Sequence, residues 1–533
     1  MQQFRKILAL VVLASAATFV LAQDESLGDA ARKVRDNKKD DVQVNKDDAK
    51  ELFQSMNKIM TFASADSGFG RRTAVNHKML GRPDVEKHFN DSLQEEVKKQ
   101  RLAESQVVLQ KFGLLPGDFN LETFLEKNTA KALGGFYDPR DKTMYLLNWI
   151  PLDRQKDIMA HELTHALQDQ NYNIMKFEGW DPKQADASTV KMSVDDEDGE
   201  RQTTRRAVIE GQAEVVHYDY ILQPYSLSLS DGSGALELIQ DAIRMSYDNA
   251  VVFKIAPRLL RDTSFFPYRE GFNFELELLK KGGRSMAFST PYSRPPHGTH
   301  EVLQPETYMS GTHVAPVKIP DLSSYLGSAY EAYDSGSMGE LDVQVMAQEF
   351  GIENDVYTVA RKWNGGAYLA LKKTSHPKDQ PMTTSDLALV YLSKWGTEKA
   401  ATRMAQIYLD ALGKRVQITE APTITTHDCE AAKCPTALWE AHLKTADGPV
   451  NLEVWPKATL LITESLDDDM VSKLRVPLLA PPTKKGAAAQ VKTPYGTDEL
   501  AMRLYDDSRF ADLAESVAAE IAAHAAERLQ KIH

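Results

Sequence analysis

The sequence predicts an α+β protein: a mainly helical domain over 49–334, a smaller α+β domain over 335–475, and a linker with a C-terminal helix over 476–533. Three observations lead there. Apolar residues recur at helical spacing through most of 49–334. Short apolar runs bounded by turn residues are confined to 135–147 and to the chain beyond 335. An Ala-rich amphipathic stretch, "FADLAESVAAEIAAHAAERLQKI", closes the chain. With 533 residues there is material for several domains and a large core.

The elements follow in order. "MQQFRK" is a short cationic stretch and "ILALVVLASAATFVLA" an apolar one ending in Val20-Leu21-Ala22, so residues 1–22 read as a signal peptide cleaved before Gln23. The protein is then expected outside the cytoplasm, secreted or periplasmic, with no transmembrane segment after cleavage. Residues 23–48 are dense in charge and poor in apolar side chains, which predicts a flexible leader. "KDDAKELFQSMNKIMTFA" opens a helical period, and a second runs through "DVEKHFNDSLQEEVKKQRLAESQVVLQKFGLL". "GGFYDPRDKTMYLLNW" reads as a β-hairpin, with runs at 135–137 and 143–147 around Asp138-Pro139-Arg140-Asp141. A helix follows with Asp153 as N-cap. "VDDEDGE" matches no calcium-loop spacing and reads as an acidic linker. Helices are then expected over "ERQTTRRAVIEGQAEVVHYDYIL", up to about residue 255, and over "EGFNFELELLKKG".

In the second domain "GAYLALKK", "DLALVYLSKW" and "ATLLITESL" read as strands. "TEKAATRMAQIYLDALG" reads as a helix capped by Thr397 and stopped by Gly413, and "ALWEAHLKTADGPVNLEVW" as a hairpin around Asp447-Gly448. The only two cysteines, Cys429 and Cys434, are expected to form a local disulfide in an exported chain. Cleavage removes Arg5 and Lys6 and takes the formal charge from −13 to −15. An acidic chain without a basic stripe argues against nucleic acid and anionic membrane surfaces as partners.

The stretch that carries chemistry is "AHELTHALQDQ", residues 160–170. His161 and His165 are four apart, so on a helix they share a face and can converge on one ion. Glu162 stands beside the pair, where a carboxylate can act on a bound water. This is the H-E-x-x-H pattern of zinc peptidases. A catalytic zinc takes three protein ligands. "AVIEGQAEVVHYDY" offers Glu210, Glu214 and His217 on one helical face. Gly211, inside that helix, costs about 1 kcal/mol against Ala, which hints at a close backbone approach where it crosses the zinc helix.

"HELTH" with "EGQAE" resembles the gluzincin class of zinc metallopeptidases, to which thermolysin-like enzymes belong. Together with "RPPHGTHEVLQPETY" it is also similar to an exported bacterial H-E-x-x-H family, over roughly residues 130–310. The resemblance implies a zincin-like catalytic domain with an edge hairpin before the zinc helix. It implies one Zn2+ held by His161, His165 and Glu210, and a supporting carboxylate at Glu214. Thermolysin-like enzymes have Asp at that last position, so Glu214 or His217 stays open as the third ligand. Asp169, four residues after His165, is expected either to orient it or to be a solvated or capping residue.

The expected reaction is hydrolysis of a peptide or protein substrate with Glu162 as general base. A further donor is needed for the developing oxyanion. Tyr268, His297, His300 and Tyr308 are the downstream candidates, with His300 and Tyr268 leading. The hairpin at 135–147 is expected to offer an edge strand for an extended peptide. Two other functions fit the same motif: an exported zinc-binding envelope protein without peptidase activity, and a zinc hydrolase of a non-peptide amide.

Overall fold

The computed structural model describes residues 44, 46–85, 87, 96–128, 134–179, 198–231, 256–351, 359–377, 379–427 and 434–480. The predicted signal peptide, nearly all of the leader, Cys429, the helix expected before residue 255 and the terminal helix lie outside them.

The protein is α+β. The first helix, α1 (Lys46–Ser67), buries Leu52, Met56, Ile59, Met60 and Ala63, the i, i+4, i+7, i+8, i+11 stripe of an amphipathic helix. Strand β1 (Asn76–Leu80) and helix α2 (Glu96–Phe112) follow. The expected hairpin is present as β2 (Gly135–Asp138) and β3 (Thr143–Leu147). It is not a free-standing edge hairpin, however. The sheet order is β1-β3-β2, with β1 parallel to β3, so β3 is the central strand. All four residues of β2 are buried, and the outward-facing edge is β1, whose Asn76, His77 and Lys78 are exposed. An extended peptide would therefore find its open edge at β1.

Helix α3 (Leu152–Tyr172) carries the H-E-x-x-H motif. Its N-cap is Pro151, not Asp153, and no side chain caps it; proline's φ is preset for the turn into the helix. Every residue from Asp157 to Asp169 is buried. Gly135 of β2 lets the hairpin sit directly on this helix, since a Cβ there would lie 2.9 Å from Ile158 Cγ2. Helix α4 (Asp198–Leu222) is just as enclosed, with every residue from Arg206 to Asp219 buried.

Helix α5 (Arg258–Phe288) packs across α4, and its helical geometry breaks at Gly283, where φ is +67°. The close approach that Gly211 hints at is made here rather than to α3. A Cβ on Gly211 would lie 2.3 Å from Gly271 C and O, and one on Gly271 would lie 2.2 Å from Ala207 O. Two backbones meet at a pair of glycines. The short helix α6 (Thr299–Leu303) then leads to the second region.

That region is a seven-stranded sheet, β4 (Tyr330–Ser337), β5 (Trp363–Lys373), β6 (Leu387–Trp395), β7 (Ile418–Thr426), β8 (Trp439–Thr445), β9 (Gly448–Trp455) and β10 (Thr459–Glu464). Its order is β4-β5-β6-β10-β9-β8-β7 and every pairing is antiparallel. Residue 335 falls inside β4, so the sheet starts a few residues before the expected domain start. Helix α7 (Glu340–Phe350) and helix α8 (Glu398–Arg415) cover one face. Thr397 caps α8 as expected, accepting from Ala400 N, but Gly413 does not stop it; the helix runs on to Arg415. Helix α9 (Asp468–Leu479), which extends past the expected linker start at 476, covers the other face with Val471, Leu474 and Leu478.

Side chains alternate across this sheet. Tyr368, Ala370, Leu389 and Tyr391 join the large core that reaches back to α1. Leu369, Leu371, Val390 and Leu392 join the smaller cluster under α9. The two regions are thus packed on one continuous core. No helix among the described residues is long and apolar enough to cross a membrane.

Candidate metal centre

Two helices buried on all sides are normally apolar all round. Here α3 and α4 instead carry His161, Glu162, His165, Gln168, Glu210, Gln212, Glu214 and His217, each at most 1% exposed. Burying so many polar groups costs free energy unless they are mutually satisfied or hold an ion.

The geometry is convergent. His161 Nε2 and His165 Nε2 are 2.8 Å apart, and each lies 3.3 Å from Glu210 Oε2. Ligand atoms about 2.0–2.1 Å from a tetrahedral zinc lie about 3.3–3.4 Å from one another. Both carboxylate contacts already have that separation; the two imidazoles need to open by about half an ångström.

The far sides of the rings decide which nitrogen carries the proton. Gln168 Nε2 donates to Ile209 O at 2.9 Å, and a carbonyl can only accept, so Gln168 turns its Oε1 toward His165 Nδ1 at 2.8 Å. His165 must therefore donate from Nδ1 and keep its lone pair on Nε2, facing His161 and Glu210. On His161, Nδ1 faces Glu214 Oε1 at 3.9 Å, which favours the same tautomer. Two imidazole nitrogens and a carboxylate oxygen then face one point, a set that could hold a cation.

Gln168 is in turn held from behind. It donates to Gln212 Oε1 at 3.1 Å, Gln212 Nε2 donates to Ala287 O at 2.7 Å, and the Tyr292 hydroxyl donates to Gln212 Oε1 at 3.0 Å. Tyr292 stacks face to face on Tyr172, with centroids 3.7 Å apart. The chain His165–Gln168–Gln212–Tyr292 fixes the ring from three helices.

The sequence-predicted residues divide as follows. His161, His165 and Glu210 are brought together as one potential ligand set. Glu214 sits on the Nδ1 side of His161, between it and His217, whose Nδ1 is 3.5 Å from Glu214 Oε2. These three also lie close enough to form a set of their own, which shares His161. Glu162 is completely buried, three residues before His165 and so beside it on the helix. Tyr268 lies beside the site, its ring inclined by 26° to that of His161 with 6.4 Å between centroids.

Asp169 does not orient His165. It accepts from the Tyr137 hydroxyl at 2.8 Å and from Lys142 Nζ at 2.6 Å, and so fastens α3 to the hairpin. His300, His297 and Tyr308 are engaged elsewhere. His300 Nδ1 is 2.6 Å from Glu340 Oε2 and, with His297 and Trp363, lines a separate cavity; the Tyr308 hydroxyl donates to Arg294 O. The residue that sequence reasoning missed is Gln168. Its signal was available: it stands three positions after His165, on the same face.

Comparison with protein-family models, curated proteins and solved structures finds no match to this chain.

Proposed function

We propose that the protein is an exported zinc-dependent metallopeptidase of gluzincin type, with a zincin-like helical region and a zinc held by His161, His165 and Glu210. The observation that carries this reading is the convergence of His161 Nε2, His165 Nε2 and Glu210 Oε2 within 3.3 Å of one another. Bound there, zinc would supply Lewis acidity, activating water near neutral pH and polarising the scissile carbonyl.

The chain's own residues do the rest. Glu162 takes a proton from the attacking water and returns it to the leaving amine. Gln168 holds His165 in its metal-binding tautomer, and the Glu214 carboxylate stands on the Nδ1 side of His161. Tyr268, the one predicted oxyanion donor whose ring lies beside that of His161, is the donor we favour. The resemblance of "HELTH" and "EGQAE" to gluzincins supports the assignment of roles, and removal of residues 1–22 with pairing of Cys429 to Cys434 belongs to the same proposal.

A second reading is favoured by burial. His161, Glu162, His165 and Glu210 are all at most 1% exposed, which suits a chain that holds a metal without admitting a substrate. A panel of four variants separates the two. Glu162→Gln should keep zinc at wild-type stoichiometry and lose about 10² to 10⁴ in rate. His161→Ala, His165→Ala and Glu210→Ala should each lose one equivalent of zinc and the activity with it. Metal analysis and digestion of a peptide library, with and without chelator, are the measurements. Wild-type protein that binds zinc but cleaves nothing in the library establishes the second reading, and non-peptide amides in the same assay test for a related hydrolase.

A further inference from the structure

A second cluster of metal-binding side chains lies outside the buried centre, on the segment "RPPHGTHEVLQPETYMSGTH". Glu200, at the start of α4, accepts from Thr299 N and Thr299 Oγ1, both at 2.8 Å, and so anchors the start of α6. That places Glu301 on the first turn of α6, where it is 2% exposed. Its Oε2 accepts from His297 N at 3.0 Å, which leaves Oε1 pointing outward.

Two imidazoles meet that oxygen. His297 Nδ1 is 3.6 Å from Glu301 Oε1, and His313 Nδ1 is 2.5 Å from it. The approach of His313 depends on Gly311, whose φ of +71° ends the helix at 305–310 and turns the chain back over α6. The two rings are 4.1 Å apart between centroids and tilted by 57°. All the potential ligand atoms lie within 4.8 Å of one another.

We propose that His297, Glu301 and His313 form a second divalent-cation site, suited to zinc, that is separate from the buried centre and independent of peptidase activity. Two imidazoles and a carboxylate are a zinc-type donor set. The backbone N–H of His297 on Glu301 Oε2 orients the carboxylate in the way supporting hydrogen bonds orient metal ligands. The His297 and His313 side chains are 44% and 40% exposed, so a fourth position is open to water and the ion can exchange with solvent.

The site has a structural consequence. Residues 314–317, directly after His313, line the cavity shared with His300, Trp363 and Gly366. Val317 and Ala315 pack on Gly365, where a Cβ would lie 2.8 Å from Val317 Cγ2. An ion bound to His313 would tie this segment to α6 and hold that wall of the cavity in place.

The test is zinc stoichiometry of the untagged full chain, measured by equilibrium dialysis against zinc alone followed by elemental analysis. Wild type should bind two equivalents, and the His297→Ala/His313→Ala variant one, with its circular dichroism and its metal-dependent activity, if any, unchanged. A chelator should strip the exposed equivalent first. The His161→Ala/His165→Ala variant should retain one equivalent. A wild type that binds one equivalent, lost only in His161→Ala/His165→Ala, overturns the second site and leaves the buried one standing. One equivalent lost only in His297→Ala/His313→Ala does the reverse. Two equivalents unaffected by His297→Ala/His313→Ala, or no zinc at all, also overturn the proposal.

Discussion

Glu275 on α5 is a fully buried carboxyl, and burial alone pushes it well above the usual carboxylate range. The folded protein therefore holds a proton that the unfolded chain releases at about pH 4.3. Between those two values the native state binds more protons, so stability falls as pH rises, by about 1.4 kcal/mol for each pKa unit crossed. Glu275→Gln should raise the melting temperature at neutral pH, and the gain should shrink toward zero as pH falls to about 4. Thermal melts of both proteins across that range check the sign; a gain that is the same at every pH would point to packing instead. At this scale His161, Glu162 and His165 were legible because their spacing is local. Gln168 against Asp169 was not. Both lie near His165 in sequence, and only the neighbours they meet, Ile209 O for one and Tyr137 with Lys142 for the other, separate their tasks.

Among the elements, the contact of α4 with α5 is the most exacting. Replacing Gly211 by Ala gains about 1 kcal/mol in helix propensity. It also places a methyl 2.3 Å from the Gly271 backbone, which no rotamer can relieve. Overpacking costs about 1–3 kcal/mol even where side chains can shift, so the clash should win. Gly211→Ala is expected to lower the denaturation midpoint and, by moving Glu210 next to it, to weaken zinc binding. Gly271→Ala should do the same, although it is far from every ligand in sequence; denaturant titration and zinc competition are the measurements. Long periodic helices and the strands of β5, β6 and β8 to β10 were readable from pattern. Strand β1 was not, because it is an edge with three exposed residues and little alternation, and its existence depends on β3 being there to pair with. The cap expected at Asp153 lost to Pro151 just before it, whose φ is preset for the turn into the helix, and Gly413 did not stop α8, which runs on to Arg415.

Across the whole molecule, one buried ion network joins the helical region to the sheet. Lys111 of α2 is 1% exposed and reaches Asp447 Oδ2 at 3.2 Å, Ser465 Oγ at 3.0 Å and Glu464 Oε2 at 3.7 Å. Glu464 also accepts from the Tyr408 hydroxyl at 2.5 Å and from Arg415. Breaking a buried ion pair costs about 3–5 kcal/mol when the remaining charge is stranded. Here Glu464 keeps two donors and Asp447 is 17% exposed, so Lys111→Ala should cost nearer the lower end. It should destabilise both regions together, in a single transition seen alike by probes on the helices and on the sheet. Two transitions would mean that the regions unfold separately. The division at residue 335 was drawn from a change of pattern, and pattern cannot report that the two parts share a core.

The face-to-face pair of Tyr172 and Tyr292 gives the buried centre an optical readout. The Tyr292 hydroxyl ends a relay of hydrogen bonds that begins at His165, and the two rings are nearly parallel, with centroids 3.7 Å apart. Such a pair has coupled electronic transitions, and these are sensitive to small changes in ring spacing and to the hydrogen bond on the phenol. Drawing His165 and His161 apart onto an ion pulls on Gln168 and Gln212, and through them on that phenol. Near-ultraviolet circular dichroism should therefore change when the protein is stripped and reloaded with zinc, in proportion to occupancy of the buried centre. Tyr292→Phe, which keeps the stack and removes the hydroxyl, should leave the static signal largely in place and abolish the change.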